Sequence, residues 1–229
     1  MTTISDHLQT VRHRLASACV QAGRAPESIN LLAVSKTQPA DAVRAAHAAG
    51  QTEFGENYVA EALDKMQALA DLRSQLVWHL IGPLQANKTR AVAEAFDWVH
   101  GVDRLRIAQR LSEQRPAHLA PLQLCVQVNI SGEDSKSGVA PAELPALATA
   151  IAQLPRVRLR GLMAIPAPAE GLAAQRAPLA ALRRLLEELN LAGLALDTLS
   201  MGMSADLEAA VLEGSTMVRI GTAIFGSRP

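Results

Sequence analysis

The chain has 229 residues, 22 basic and 22 acidic side chains, and an aromatic content of 3%. That length can bury a full core, while the balanced charge and scarce aromatics leave neither a basic face nor stacking surface for nucleic acid, which is excluded as a partner. Cys19 and Cys125 lie far apart with no metal-ligand or disulfide spacing, and no long apolar leader or membrane-length apolar window is seen, so the expectation is a reduced, soluble, cytoplasmic protein.

The first predicted element is a helix over Ser5–Ala22, with Ser5 or Asp6 as N-cap and Gly23 past its C-terminus. Predicted strands follow at Asn30–Ser35, Thr52–Gly55, Leu76–Leu80, Trp98–His100, Leu122–Asn129, Val157–Met163, Thr198–Ser200 and Thr216–Ile220. Between them lie stretches such as PADAVRAAHAAG and NKTRAVAEAF, with apolar residues at helical spacing. Eight strands alternating with helices predict parallel β/α units, and eight is the number that closes a barrel. An open doubly wound sheet is the rival, weakened because no GxGxxG follows the first strand. The expectation is a single (β/α)8 TIM-like barrel over 1–229 with no second β-domain. After the eighth strand only GTAIFGSRP remains, so the extra N-terminal helix is expected to cover the place of an eighth outer helix. IPAPAEG (165–171) reads as a loop after the sixth strand.

Barrels gather their active groups at the C-terminal ends of the strands. The first strand, in LLAVSKTQ, ends in Lys36, although the chain uses 18 arginines and only four lysines. A lysine differs chemically from an arginine in that its amine can lose a proton and form a Schiff base. On position alone Lys36 reads equally as a solvated lysine. SMGMSAD (200–206) after the seventh strand offers Ser204 as a helix N-cap, and RIGT (219–222) after the eighth brings Gly221 and Thr222 into a short helix. Loops seven and eight are where barrels commonly bind phosphate, so the two segments together predict a phosphate site. Arg219 stands beside it, in reach of phosphate or of a ring nitrogen. Glu56 and Asn57, ending the second strand, are expected to line the pocket. His79 and His100 end neighbouring strands with no carboxylate at ligand spacing, which favours histidines satisfied inside the barrel over a metal pair. Lys88 reads as a surface or mouth charge opening the helix after the third strand, and Lys136 as a loop lysine.

A strand-one lysine, a phosphate site on strands seven and eight and a strand-eight arginine together resemble a fold-type III pyridoxal phosphate barrel. AVSKTQP, FGENYVAEALDK, WHLIGPLQANKTR, NISGEDSKSG, GLMAI and SMGMSADLEAAVLEGSTMVRIGTAIFG closely resemble the pyridoxal phosphate homeostasis protein family, in order and over nearly the whole chain. The resemblance implies pyridoxal 5'-phosphate held as an internal aldimine on Lys36, phosphate held by Ser204, Gly221 and Thr222, and Arg219 at the pyridine nitrogen. It further implies Asn57, Met201 and Gly202 packed around the ring, and Lys136 as a secondary attachment point.

An arginine can only donate to that nitrogen, which keeps the ring unprotonated and makes it a poorer electron sink. Racemisation needs a second acid/base group opposite Lys36, and the sole tyrosine, Tyr58, is not obviously aimed there. The expected function is therefore a non-catalytic cofactor carrier in intracellular pyridoxal phosphate homeostasis, acting on amino-acid and keto-acid balance through storage or delivery. A weak pyridoxal-phosphate-dependent amino-acid racemase is the alternative, and a cofactor-free Schiff-base aldolase a further one. The cofactor itself, transiently met apoenzymes and a monomeric state complete the expectation.

Overall fold

Eight strands close into a parallel barrel in chain order: β1 (Asn30–Val34), β2 (Glu53–Glu56), β3 (Val77–Leu80), β4 (Trp98–Val102), β5 (Leu122–Gln127), β6 (Val157–Met163), β7 (Thr198–Ser200) and β8 (Met217–Ile220). The computed structural model describes residues 3–133 and 137–226, so Lys136 lies outside the described residues. The barrel shuts where β1 meets β8, from Asn30 opposite Met217 to Ala33 opposite Ile220. Such strands are covered on both faces, which is why they read as short apolar runs. The open doubly wound sheet is thereby ruled out.

Strand alternation divides the apolar residues between two cores. Phe54, Trp78, Leu124 and Val218 point outward into the main core under the helices, while Leu32, Ile81 and Met217 form a small separate cluster. Much of the remaining interior is polar, with His79, His100, Ser200 and Arg219 all buried.

The outer helices are α1 (Ile4–Gln21), α2 (Ala40–Ala48), α3 (Val59–Ala68), α4 (Thr89–Ala95), α5 (Leu105–Gln114), α6 (Leu144–Ala152), α7 (Leu172–Leu191), α8 (Leu207–Leu212) and α9 (Thr222–Phe225). Lys88 is exposed just ahead of α4. α1 buries Leu8, Val11, Leu15, Ala18 and Cys19 on one face. It packs against α2, α8 and α9, filling the place that four-residue α9 is too short to fill. The N-cap is Thr3 and not Ser5 or Asp6: Thr3 Oγ1 accepts from the Asp6 N–H (3.2 Å) and the Asp6 carboxylate accepts from the Thr3 N–H (2.8 Å). This capping box satisfies two otherwise orphaned donors and moves the helix start back by one residue.

Several strand ends differ from expectation because backbone pairing, not side-chain polarity, sets them. β2 runs on to Glu56, which pairs in register with Leu80 despite its charge. β4 continues to Val102. β5 stops at Gln127: Val128 bridges instead to Val139, whose carbonyl accepts from the Asn129 N–H at 3.0 Å. Among the described residues no helix is long and apolar enough to cross a membrane.

Candidate functional site

A cavity of about 290 Å³ opens at the C-terminal mouth of the barrel. β1 and its exit contribute Val34 and Lys36; Asn57 follows β2 and Ile81 follows β3; Ile165 follows β6. Met203, Ser204 and Ala205 come from the loop after β7, and Arg219, Gly221 and Thr222 from β8 and its exit. Six residues singled out from the sequence are thus brought together: Lys36, Asn57, Ser204, Arg219, Gly221 and Thr222. Met201 and Gly202 are not on this wall. Met201 is sealed in the main core and Met203 takes the wall position instead. Gly202 lies beneath it in a left-handed turn (φ +95°), where a Cβ would stand 2.4 Å from that of Ala210, so only glycine lets the loop cross α8 this closely.

The loop after β7 is tied down from outside. Ser204 does not cap α8, whose N-cap is Asp206; Asp206 Oδ1 accepts from the Met203 N–H at 2.7 Å. The Ser204 carbonyl accepts from Arg14 Nη1 (2.8 Å), and the same guanidinium forks onto Glu208 at 2.7 and 2.6 Å. His7 Nδ1–H donates to the Ile224 carbonyl of α9 at 3.0 Å. α1 therefore holds both loops over which Ser204 and Thr222 face the cavity.

Lys36 is gripped through its two neighbours. Lys65, buried on α3, donates to the Ser35 carbonyl (2.7 Å), to Glu56 Oε1 (2.6 Å) and to Glu61 Oε1 (3.1 Å). Ser35 Oγ donates to the same Glu56 oxygen (2.6 Å), and Glu61 accepts from the Thr37 N–H (2.6 Å). Thr37 is held left-handed at φ +64°, a costly conformation for a β-branched residue. Glu56 is accordingly no pocket residue: it is fully buried behind the wall, where burial pushes its carboxyl up against the opposing pull of Lys65. The Glu61–Lys65 spacing is legible in the sequence as a helical ion pair, but its link to Glu56 and to the Lys36 turn is not.

Arg219 forms the floor. Nη1 donates to the Ser200 carbonyl (2.5 Å) and to Ser200 Oγ (2.8 Å), and Nη2 donates to the Ala164 carbonyl (2.9 Å). Burial lowers its pKa to about 10, which still leaves it charged at neutral pH. Three of its five N–H groups are so engaged, and the other two have no hydrogen-bond acceptor among the described residues. Asn57 adds a buried Oδ1 with no partner. A guanidinium on the floor, an amine on the wall, and two hydroxyl residues, Ser204 in the loop after β7 and Thr222 opening α9, fit a flat, phosphorylated heterocyclic aldehyde.

His79 and His100 sit below this floor, fully buried and 3.0 Å apart from Nδ1 to Nε2. No metal-binding group of histidine, cysteine and carboxylate residues exists among the described residues. Burial takes His79 down to about 3 and His100 well below the usual histidine value. A histidine that stays neutral in the fold but charges near pH 6.5 once unfolded stabilises the protein above pH 6.5, and that stability is lost as the pH falls. These two residues are expected to cost about 2–3 kcal/mol of unfolding free energy between pH 6 and pH 5. Unfolding free energies from urea curves measured across that interval check this; a loss of half that size means that one of them is already charged in the fold, and a flat profile that both are.

The sequence profile of the alanine racemase N-terminal domain family matches residues 7–229. The pyridoxal phosphate homeostasis protein of Pseudomonas aeruginosa is 64% identical over 228 residues, covering 100% of this chain and 97% of that protein. The chain belongs to the pyridoxal phosphate homeostasis protein family. The structure of PipY from Synechococcus elongatus with pyridoxal phosphate bound superposes with a TM-score of 0.86 at 41% identity, over 98% of this chain and all of that one. Alanine racemase from Corynebacterium glutamicum shares the fold at 21% identity and a TM-score of 0.67, this chain covering 62% of it. Members of the pyridoxal phosphate homeostasis protein family thus share their barrel with racemases, and their function has to be argued from the site.

Proposed function

We propose that this protein holds pyridoxal 5'-phosphate in the mouth cavity and serves cofactor homeostasis in the cytoplasm, as a carrier and not as a catalyst. The single observation behind this reading is that Lys36, Arg219 and the hydroxyls of Ser204 and Thr222 face one cavity of the right size. The cofactor supplies an aldehyde that condenses with a lysine amine, releasing water. Lys36 is the attachment point, Ser204, Gly221 and Thr222 hold the phosphate, and Arg219 donates to the ring nitrogen. Asn57 closes one side of the ring and Met203 another, while Met201 and Gly202 support the loop after β7 from beneath.

The carrier reading is supported by the wall itself. Among the described lining residues Lys36 supplies the amine, the group that can act as a base once deprotonated, while Arg219 stays charged. Tyr58 is 57% exposed and does not line the cavity. A single base reprotonates one face only, which suits holding an aldehyde better than inverting a carbon. Tyr58, Ile165, Leu172 and Met203 are exposed apolar side chains following strand C-termini, and they offer an apoenzyme a transient contact around the mouth of a monomeric carrier.

Loaded wild-type protein is expected to show a visible absorbance band that Lys36→Ala lacks, with the borohydride-reduced adduct mapping to the Lys36 peptide. Mapping mainly elsewhere overturns the attachment site. The racemase alternative is decided by α-carbon deuterium exchange of amino acids in heavy water, where the carrier shows at most a trace.

A further inference from the structure

The polar interior of the barrel forms a connected line. Ser200 Oγ, which accepts from Arg219 Nη1 at 2.8 Å, lies 2.8 Å from His100 Nδ1. His100 Nε2 lies 3.0 Å from His79 Nδ1, and His79 Nε2 stands 3.5 Å from Glu53 Oε2, facing it without a hydrogen bond. β4 and β7 are not neighbours in the sheet, so the His100–Ser200 bond crosses the barrel interior. The line begins at Arg219 under the cavity and ends at Glu53, the first residue of β2, at the opposite end of the barrel.

Its direction follows from one residue that cannot accept. Arg219 only donates, so Ser200 Oγ receives its proton and turns its own toward His100 Nδ1. His100 then carries its proton on Nε2 and donates to His79 Nδ1, which places the proton of His79 on Nε2, facing Glu53. The reverse order leaves the Ser200 hydroxyl proton, fully buried, without an acceptor. The stacked Trp98 ring, 5.4 Å from His79 and tilted 12°, offers that histidine no competing hydrogen-bond acceptor.

We propose that Ser200, His100 and His79 are a one-way hydrogen-bond relay that positions Arg219 for the cofactor ring, with Glu53 facing its far end. Among the described residues Arg219 has no carboxylate as a hydrogen-bond partner. Its charge is met instead by a row of dipoles aligned with their negative ends toward it, and each bond in such a row strengthens the next. Ser200, His100, His79 and Glu53 are positioning residues, since none of them lines the cavity.

This inference rests on the reading of Arg219 as the ring-nitrogen donor, and the experiment separates the two. In 15N-histidine-labelled protein free of cofactor, His79 and His100 are both expected as Nε2–H tautomers with Nδ1 accepting. Either one protonated on Nδ1 overturns the relay while leaving the cofactor site intact. On adding pyridoxal 5'-phosphate, the His79 and His100 nitrogens are expected to shift in wild type, and His79 to stop responding in Ser200→Ala. A His79 that is silent in wild type, with cofactor attached to Lys36, also overturns the relay. Ser200→Ala is further expected to weaken cofactor retention roughly tenfold, the scale of one hydrogen bond to a charged group. Ser112→Ala removes another buried hydroxyl, one that donates to the Pro155 carbonyl far from the relay, and is expected to leave retention unchanged. Equal losses in both variants reduce Ser200 to ordinary packing. Glu53→Gln keeps the shape at the far end but removes the charge, and is expected to move the His79 resonance first and retention about twofold.

Discussion

Lys65→Met is expected to lower stability by about 3–5 kcal/mol and to abolish efficient attachment of the cofactor to Lys36. The ammonium of Lys65 is 4% exposed and the Glu56 carboxylate fully buried, so removing the one strands the other as an unpaired interior charge. For a chain of this size the loss corresponds to a melting point lower by about 6–20 °C. Attachment suffers for a separate reason. Lys65 and its two glutamates hold the Ser35 carbonyl and hydroxyl on one side of Lys36 and the Thr37 N–H on the other. Without Lys65 the two glutamates lose the cation that gathers them, the Ser35 carbonyl keeps only the Gln38 N–H (3.0 Å), and the left-handed Thr37 and the Lys36 beside it are held less firmly. Lys65→Met combined with Glu56→Gln separates the two effects. With no carboxylate stranded, most of the stability is expected to return, but the Lys65 bond to the Ser35 carbonyl is still missing, so borohydride-trapped adduct at Lys36 stays low. A double variant that attaches cofactor like wild type shows that Lys65 serves stability alone.

The second large effect belongs to Gly161→Ala. A Cβ at this position would lie 1.8 Å from the Thr198 carbonyl oxygen and 2.6 Å from its carbon. Both are backbone atoms of the neighbouring strand, so the overlap cannot be relieved by a side-chain rotation; β6 and β7 have to part. Those strands pair from Gly161 opposite Thr198 to Met163 opposite Ser200, and the Arg160 carbonyl accepts from the Asp197 N–H at 2.8 Å. The expected cost is at least about 3 kcal/mol, at the severe end for a single methyl group. Cofactor retention falls with it, because two acceptors that orient Arg219, the carbonyls of Ser200 and Ala164, sit at the ends of the parted strands. Urea unfolding and cofactor titration of one preparation test both statements, and a midpoint within about 1 kcal/mol of wild type contradicts the close approach.

Glycine at 161 lies inside GLMAI, and nothing local reveals why it is glycine: the clashing atom is 37 positions away. The same division runs through the site. Lys36, Arg219 and the small residues of loops seven and eight were legible because strand ends are legible and a barrel delivers strand ends to one mouth. Val157–Met163 and Thr198–Ser200 were read with their observed bounds, since an apolar run flanked by turn residues is a local signal. The start of α1 was missed by a cap, because Thr3, Ser5 and Asp6 are all plausible caps until the Thr3–Asp6 reciprocal bonds choose one. Glu56 reads from the sequence as a pocket residue, since a polar side chain at a strand end looks exposed until its buried cation, Lys65, is in view.

Local patterning, then, sufficed for the number and order of the elements, for closure of the barrel, and for the lysine and arginine that face the cavity. These depend on periodicity and on chemistry that one residue type supplies alone. Which polar groups pair inside was settled only by folding. Lys65 meets Glu56 across two elements, and His100 meets Ser200 across the barrel from a hundred residues away. A buried polar group must find a partner, but which partner depends on three-dimensional closure, to which short-range spacing is blind.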